Sequence, residues 1–232
     1  MLQTVGMLFT PGYPGFLRGV APAGAGEFVV TTSGGQVSRY RPADSESEVL
    51  ADGFDQLYGV AVAAGDAVVV SELGTGRVLS IRAGEVEVIA SGLCDPVGVA
   101  ITRDGTCLVS EAGAGRVVKL TGPGRPETVL DGLRRPQGIL VLGQQLYVID
   151  ADAKALIGFD LQARTYRAVA SGLPVGAPPG VTPKPLKGMP PFSGPQGPFA
   201  GIAAGPDGTL YVSADGDGSV LAFRQEDAGR HA

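Results

Sequence analysis

Two sets of polar side chains recur along this chain at a nearly fixed spacing, and both carry groups that can bind a ligand or move a proton. Arg18, Tyr58 and Gln137 each stand directly before a glycine, in Arg18-Gly19-Val20-Ala21, Tyr58-Gly59-Val60-Ala61 and Gln137-Gly138-Ile139-Leu140. Val97 and Ala200 hold the same place before Gly98 and Gly201. A guanidinium, a phenol and an amide beside two small apolar side chains suit a partly apolar small molecule with an anionic or carbonyl group, because the Arg fork matches carboxylate and phosphate geometry. The same three residues suit structural work equally, tying down turns, as most such polar groups do. The second set is Glu72, Glu111 and Asp150, each closing a short apolar run. Crowding or burial that raises a carboxyl pKa would make each a general acid or base. Glu72 and Glu111 are followed five residues later by Arg77 and Arg116, which predicts a brace across a turn. Asp150 has Ala155 at that place, so this rule leaves it unbraced and makes it the foremost catalytic candidate of the three. A Ser/His/Asp triad is not expected, since the single His is His231 in the terminal tail.

The elements that must position these residues follow from the glycines. Gly19, Gly59, Gly98, Gly138 and Gly201 mark a period near 40 residues with one longer last interval. A repeat of that length is the mark of a β-propeller blade, which cannot bury its apolar face alone and must stack on its neighbours. In the clearest unit, residues 91–133, strands are expected at 97–101, 107–110, 116–120 and 127–130, the first two joined through Asp104-Gly105. The chain, residues 1–232, thus reads as a single all-β domain, a propeller of about five four-stranded blades. Its fifth unit stops after a third strand at 220–223, and residues 2–9 are in place to pair with it as the fourth, closing the ring and covering an open edge. The competing reading is a six-bladed relative that has lost a blade or belongs to a longer chain.

The long interval holds a loop, residues 174–197, rich in Pro and Gly and without strand or helix period. By phase it lies at the pore mouth, where Met189 and Phe192 would face a ligand and Lys184 and Lys187 would stand at the rim, as a lid. A net charge of -5 without a basic cluster gives no footprint for nucleic acid. No segment has the length of a membrane helix, and the first residues lack a cationic leader, so a cytoplasmic protein that does not engage a membrane is expected. Cys94 and Cys107 fall at opposite ends of one hairpin, too far apart for a disulfide, and read as small buried thiols.

The run Asp131-Gly132-Leu133-Arg134-Arg135-Pro136-Gln137-Gly138-Ile139, with Leu108-Val109-Ser110-Glu111-Ala112-Gly113-Ala114-Gly115-Arg116-Val117 in the blade before it, resembles the NHL-repeat propellers and the related gluconolactonase, senescence-marker-protein and strictosidine-synthase-like propellers. The resemblance spans nearly the whole chain and implies fold more than activity, since that scaffold hosts hydrolases, lyases and binding modules. Gluconolactonases hold a divalent cation with acidic and Asn side chains, one of them directly before the marker glycine. This chain has no Asn, and none of its five pre-glycine residues is a carboxylate, so a metal-free site without a cofactor is expected. The virginiamycin B lyases use a catalytic His, for which only His231 is present. Three functions stay open: a metal-independent small-molecule-binding propeller with acid/base chemistry (isomerase, cyclase, lyase or hydrolase); a non-enzymatic module presenting its top face to a protein partner; and a metal-dependent, lactonase-like hydrolase.

Overall fold

Short apolar runs separated by Gly and Asp turns fold into antiparallel strands throughout the computed structural model, which describes residues 16–24, 26–122, 126–178, 180–181 and 197–224. The first blade is β1 (Leu17–Pro22), β2 (Phe28–Thr32), β3 (Val37–Arg41) and β4 (Glu46–Ala51). The second is β5 (Leu57–Val62), β6 (Val68–Glu72), β7 (Arg77–Arg82) and β8 (Glu85–Ala90). The third is β9 (Pro96–Ile101), β10 (Cys107–Glu111), β11 (Arg116–Leu120) and β12 (Glu127–Leu130), which reproduces the expected strands of the 91–133 unit to within one residue. The fourth is β13 (Pro136–Leu142), β14 (Gln145–Asp150), β15 (Ala155–Asp160) and β16 (Tyr166–Ser171), and the fifth is β17 (Ile202–Ala204), β18 (Leu210–Ala214) and β19 (Ser219–Phe223). The protein is therefore an all-β, five-bladed propeller. Its last blade has three strands among the described residues, and the closing strand expected at 2–9 lies outside them. No described helix is long and apolar enough to cross a membrane.

The order of strands within a blade follows from burial. β6 and β10 are buried along their whole length, and β14 everywhere but its first residue, because a middle strand is covered on both faces by neighbouring blades. The outer strands β4 and β8 begin with Glu and are largely exposed. Apolar cores lie between successive blades: Val29, Val37 and Leu57 join blades one and two, and Val69, Val78 and Val99 join two and three. Leu108, Val117 and Ile139 join three and four, while Tyr147, Leu156 and Val212 join four and five. Among the described residues no such core joins blade five to blade one.

The marker glycines set how closely the blades approach at the pore. A Cβ added to Gly19, Gly59, Gly98 or Gly138 would collide with the backbone oxygen of Tyr58, Val97, Gln137 or Ala200 on the following blade. Three of these joints are also bridged by a hydroxyl. The Thr31, Ser71 and Ser110 side chains accept from the Gly19, Gly59 and Gly98 N–H and donate to the Tyr58, Val97 and Gln137 carbonyls at 2.8, 2.6 and 2.6 Å. In blade four the equivalent residue is the apolar Ile149, and the Gly138 N–H instead donates directly to the Ala200 carbonyl at 3.0 Å. Each joint thus satisfies the polar groups it buries.

Candidate functional site

The loops before the inner strands and those after the second strands meet on one face, as the expected pore mouth requires. There Leu73 N–H donates to Gln56 O, Ala112 N–H to Asp95 O and Ala151 N–H to Arg135 O. The five pre-glycine residues lie at this face, and Tyr58, Val97, Gln137 and Ala200 are buried in the mouth of the pore. The three polar side chains each make a described contact. The Tyr58 hydroxyl accepts from the Gly197 N–H at 3.2 Å, Arg18 Nη1 donates to the Gly197 carbonyl at 2.9 Å, and Gln137 Oε1 accepts from the Ala200 N–H at 2.7 Å. The Arg18 guanidinium also lies 4.8 Å from the centre of the Tyr58 ring, and Phe199 meets that ring edge-on with centroids 5.6 Å apart. The structure thus brings Arg18, Tyr58 and Gln137 together, and their described contacts hold the chain where it returns from the long loop. Lys184, Lys187, Met189 and Phe192 lie outside the described residues.

The near end of the same loop is pinned by residues that sequence reasoning passed over. Lys154 Nζ donates to the carbonyls of Val175 and Ala177, Asp215 Oδ1 accepts from the Gly176 N–H at 2.7 Å, and the Gly216 N–H donates to Pro174 O. Lys154 stands where blades two, three and five have the turn glycines Gly76, Gly115 and Gly218, and it takes the same left-handed conformation, φ 55°. A side chain in that region costs about 1 kcal/mol or more, so the lysine stands at a position the turn alone would give to glycine.

The three carboxylates expected to handle protons are buried anchors of the rim loops. Glu72 accepts from the Asp55 N–H at 2.8 Å, from the Thr75 hydroxyl and from Arg77, whose Nη2 is 2.6 Å away. Glu111 accepts from the Cys94 N–H at 2.8 Å and from Arg116 Nε at 2.6 Å. Both expected braces are present. Asp150 corrects the view that it is unbraced: with no Arg at hand, it accepts three backbone N–H groups, those of Arg134, Arg135 and Ala153, at 2.8, 2.9 and 3.2 Å. Its two oxygens are thereby engaged in holding the main chain that carries Arg134, Arg135 and Ala153. Cys94 is a second correction, since it is exposed; Cys107 is buried, and burial pushes its thiol pKa up to about 12.

Glu72 carries a pH dependence. Burial raises its pKa, but the Thr75 hydroxyl, the Asp55 N–H and Arg77 outweigh this and leave it below the ordinary value. A carboxyl lowered on folding stabilises the protein fully above its unfolded pKa, and that contribution is lost as pH falls through the folded pKa. Glu72→Gln is therefore expected to cost about 1 to 2 kcal/mol at neutral pH, because Arg77 is partly exposed. The gap in urea midpoint between Glu72→Gln and wild type should close as the pH falls below about 4.

Between the pore mouth and the loop ends lies a cavity of about 480 Å³. Its apolar wall includes Tyr58, Leu73, Val97, Ala112 and Pro198, and its polar wall includes Asp95, Arg135 and Asp152. These last three side chains are exposed and form no hydrogen bond or ion pair with any described residue. Asp152 stands where blades two, three and five carry Gly74, Gly113 and Gly216, a second departure of blade four from the repeat. A divalent cation of the gluconolactonase kind does not fit the donors present. The pre-glycine positions offer no carboxylate, Gln137 Oε1 is taken by Ala200, and no described cluster of three His, Cys, Asp or Glu side chains exists.

No protein-family model and no curated protein matches the chain. Solved structures carry the likeness instead. A gluconolactonase from Xanthomonas campestris superposes with a TM-score of 0.66 at 21% identity, over 90% of this chain and 76% of that one. Virginiamycin B lyase from Staphylococcus aureus gives a TM-score of 0.63 at 12% identity, over 94% and 72%. A chain of the nidogen/laminin complex gives a TM-score of 0.60 at 19% identity; 65% of this chain matches, and it spans 61% of that one. At these identities the likeness extends to the fold, a β-propeller, and no further.

Proposed function

We propose that this propeller binds a small organic ligand in the pore-mouth cavity, using Arg135 to take an anionic or carbonyl oxygen and Asp95 and Asp152 to accept from hydroxyl or amine groups. The observation that carries this reading is the contrast within the rim: Arg18, Tyr58, Gln137, Glu72, Glu111 and Asp150 make contacts that hold loops, whereas Arg135, Asp95 and Asp152 line the cavity, are exposed, and make no side-chain hydrogen bond or ion pair with a described residue. A site with a few convergent polar groups against an apolar wall is the usual form of a small-molecule pocket. The apolar side would hold the ligand's carbon skeleton over Val97 and Ala112, and the Tyr58 ring would bound it laterally. Acid/base chemistry on such a ligand falls to Asp95 and Asp152 in this reading, because their oxygens are available to the cavity. Glu72, Glu111 and Asp150 support the reading as positioning residues, fixing the main chain that carries Asp55, Cys94, Arg134 and Arg135.

Calorimetric titration with D-glucono-1,5-lactone and a panel of small hydroxycarboxylates tests it. Saturable binding is expected for at least one member. Arg135→Ala should weaken it by about tenfold or more, the loss of one charged hydrogen bond, with the melting temperature unchanged. A wild-type protein inert to the whole panel would overturn the small-molecule reading and favour a protein-binding top face.

A further inference from the structure

The charges that line the pore-mouth cavity are set out by the repeat. Gln56, Asp95 and Arg135 occupy one position of it, each standing immediately before the first residue of an inner strand, at Leu57 in β5, Pro96 in β9 and Pro136 in β13. Each is held by its own carbonyl, which accepts from the N–H of Leu73, Ala112 or Ala151 in the loop after the second strand. Blades two, three and four therefore present an amide, a carboxylate and a guanidinium from equivalent places on the rim. Gln56 and Asp95 hold their places in the left-handed backbone region, with φ of 56° and 48°. Asp152 brings a second carboxylate to the same cavity from the turn after β14, where blades two and three have Gly74 and Gly113. No ion pair joins Arg135 to Asp95 or to Asp152, so charges of both signs face one space without touching. Lys154 does not line the cavity, and its Nζ donates to the Val175 and Ala177 carbonyls. Two carboxylates thus stand against a single guanidinium.

We propose that the ligand of this cavity is an amino acid, with its carboxylate on Arg135, its ammonium on Asp95 and Asp152, and its side chain against the apolar wall of Val97 and Ala112. The inference rests on the reading of the cavity as a small-molecule site and narrows it. A ligand seated there displaces water from all three charged groups, and a charge that loses water without gaining an opposite partner is costly. A simple carboxylate meets Arg135 but leaves both aspartates uncompensated and lies close to them. A simple amine meets the aspartates and leaves Arg135 unpaired. A ligand with one charge of each sign answers both demands, and the three donors of an ammonium suffice for two carboxylates at once. The arrangement therefore selects as much by penalising ligands of one sign as by attracting those with two. A hydroxyl in place of the ammonium can still donate a hydrogen bond, so hydroxycarboxylates remain ligands of lower affinity.

Calorimetric titration of the full-length protein with two matched triads tests it. One is L-leucine, 2-hydroxy-4-methylpentanoate and 3-methylbutylamine; the other is L-phenylalanine, 3-phenyllactate and 2-phenylethylamine. Each triad keeps the carbon skeleton and changes only the charged groups. In at least one of them the amino acid is expected to bind about tenfold or more tighter than both its hydroxy acid and its amine. If the hydroxy acid or the amine binds as tightly as the amino acid in both triads, the inference is overturned while the cavity remains a ligand site. Silence of all six probes beside binding of gluconolactone has the same meaning. Silence of the six and of the whole hydroxycarboxylate panel overturns the small-molecule reading and this inference with it. The protein carrying both Asp95→Asn and Asp152→Asn locates the ammonium. Both positions are exposed and Asn accepts the left-handed backbone of Asp95, so the melting temperature should hold. This variant should lose about tenfold or more in affinity for the amino acid and bind the hydroxy acid no more weakly than wild type does. Undiminished amino-acid affinity in it would place the ammonium elsewhere and overturn the assignment.

Discussion

Gly98→Ala is expected to destabilise the protein by about 3 kcal/mol, the cost of forcing a methyl group into a joint that has no room for it. The added carbon would meet the Gln137 carbonyl and the Ile139 nitrogen, which are backbone atoms, together with Ser110 Oγ, which bridges the two. The two backbone atoms cannot rotate away, and the Ser110 hydroxyl can turn aside only by giving up its two hydrogen bonds. Relief requires blades three and four to part at the pore, which would stretch the Ser110 to Gln137 hydrogen bond and loosen the core of Leu108, Val117 and Ile139 behind it. The entropic gain of replacing glycine in a strand, about 0.5 to 1 kcal/mol, offsets only a fraction. In a domain of this size the net loss corresponds to a fall in melting temperature of about 6 to 12 °C. A urea titration monitored by far-UV circular dichroism measures it, and a change below about 1 kcal/mol would mean that the joints are not packed as described.

Asp150→Ala is expected to cost about 3 kcal/mol, for a different reason. The side chain is buried and its two oxygens accept the N–H groups of Arg134, Arg135 and Ala153, so truncation leaves three donors of a tight rim without their acceptor. Asp150→Asn retains one carbonyl oxygen and should lose about half as much. The outcome separates two roles. If Asp150 positions the loop that carries Arg135, both variants lose stability, and ligand affinity falls with the order of that loop. If it handles a proton in the cavity, Asn would leave stability near wild type while abolishing turnover. Denaturant titration of both variants beside calorimetric binding makes the distinction.

The fold was legible because its demands fall on backbone geometry, and such demands repeat. Gly19, Gly59, Gly98 and Gly138 recur because each must admit a carbonyl from the next blade, and the hydroxyls of Thr31, Ser71 and Ser110 recur because each closes the same hydrogen-bonded bridge. The braces at Glu72 and Glu111 were readable for the same reason, as a fixed interval between acid and Arg. The cavity was less so. Arg18, Tyr58 and Gln137 stand at the pore mouth as expected, but their contacts reach Gly197 and Ala200 across a separation in sequence that no spacing rule reports. Asp150 was read by the absence of an Arg, which says nothing about main-chain donors. Asp152 and Lys154 did leave a signal, each replacing a glycine that the other blades keep, so blade four was marked by the places where it breaks the repeat.

The joints also separate two kinds of inheritance. What Gly19, Gly59, Gly98 and Gly138 meet on the next blade, three of them with a bridging hydroxyl, is the backbone oxygen of the pre-glycine residue, an atom every amino acid supplies. The side chain at that position takes no part in that bridge, which is why a phenol, an isopropyl group, an amide and a methyl group can share one structural role. A lineage built on this ring could exchange the chemistry of its pore mouth residue by residue while every joint stayed intact. Four adjacent sites on an unchanging frame form a natural starting library for altering what the protein recognises.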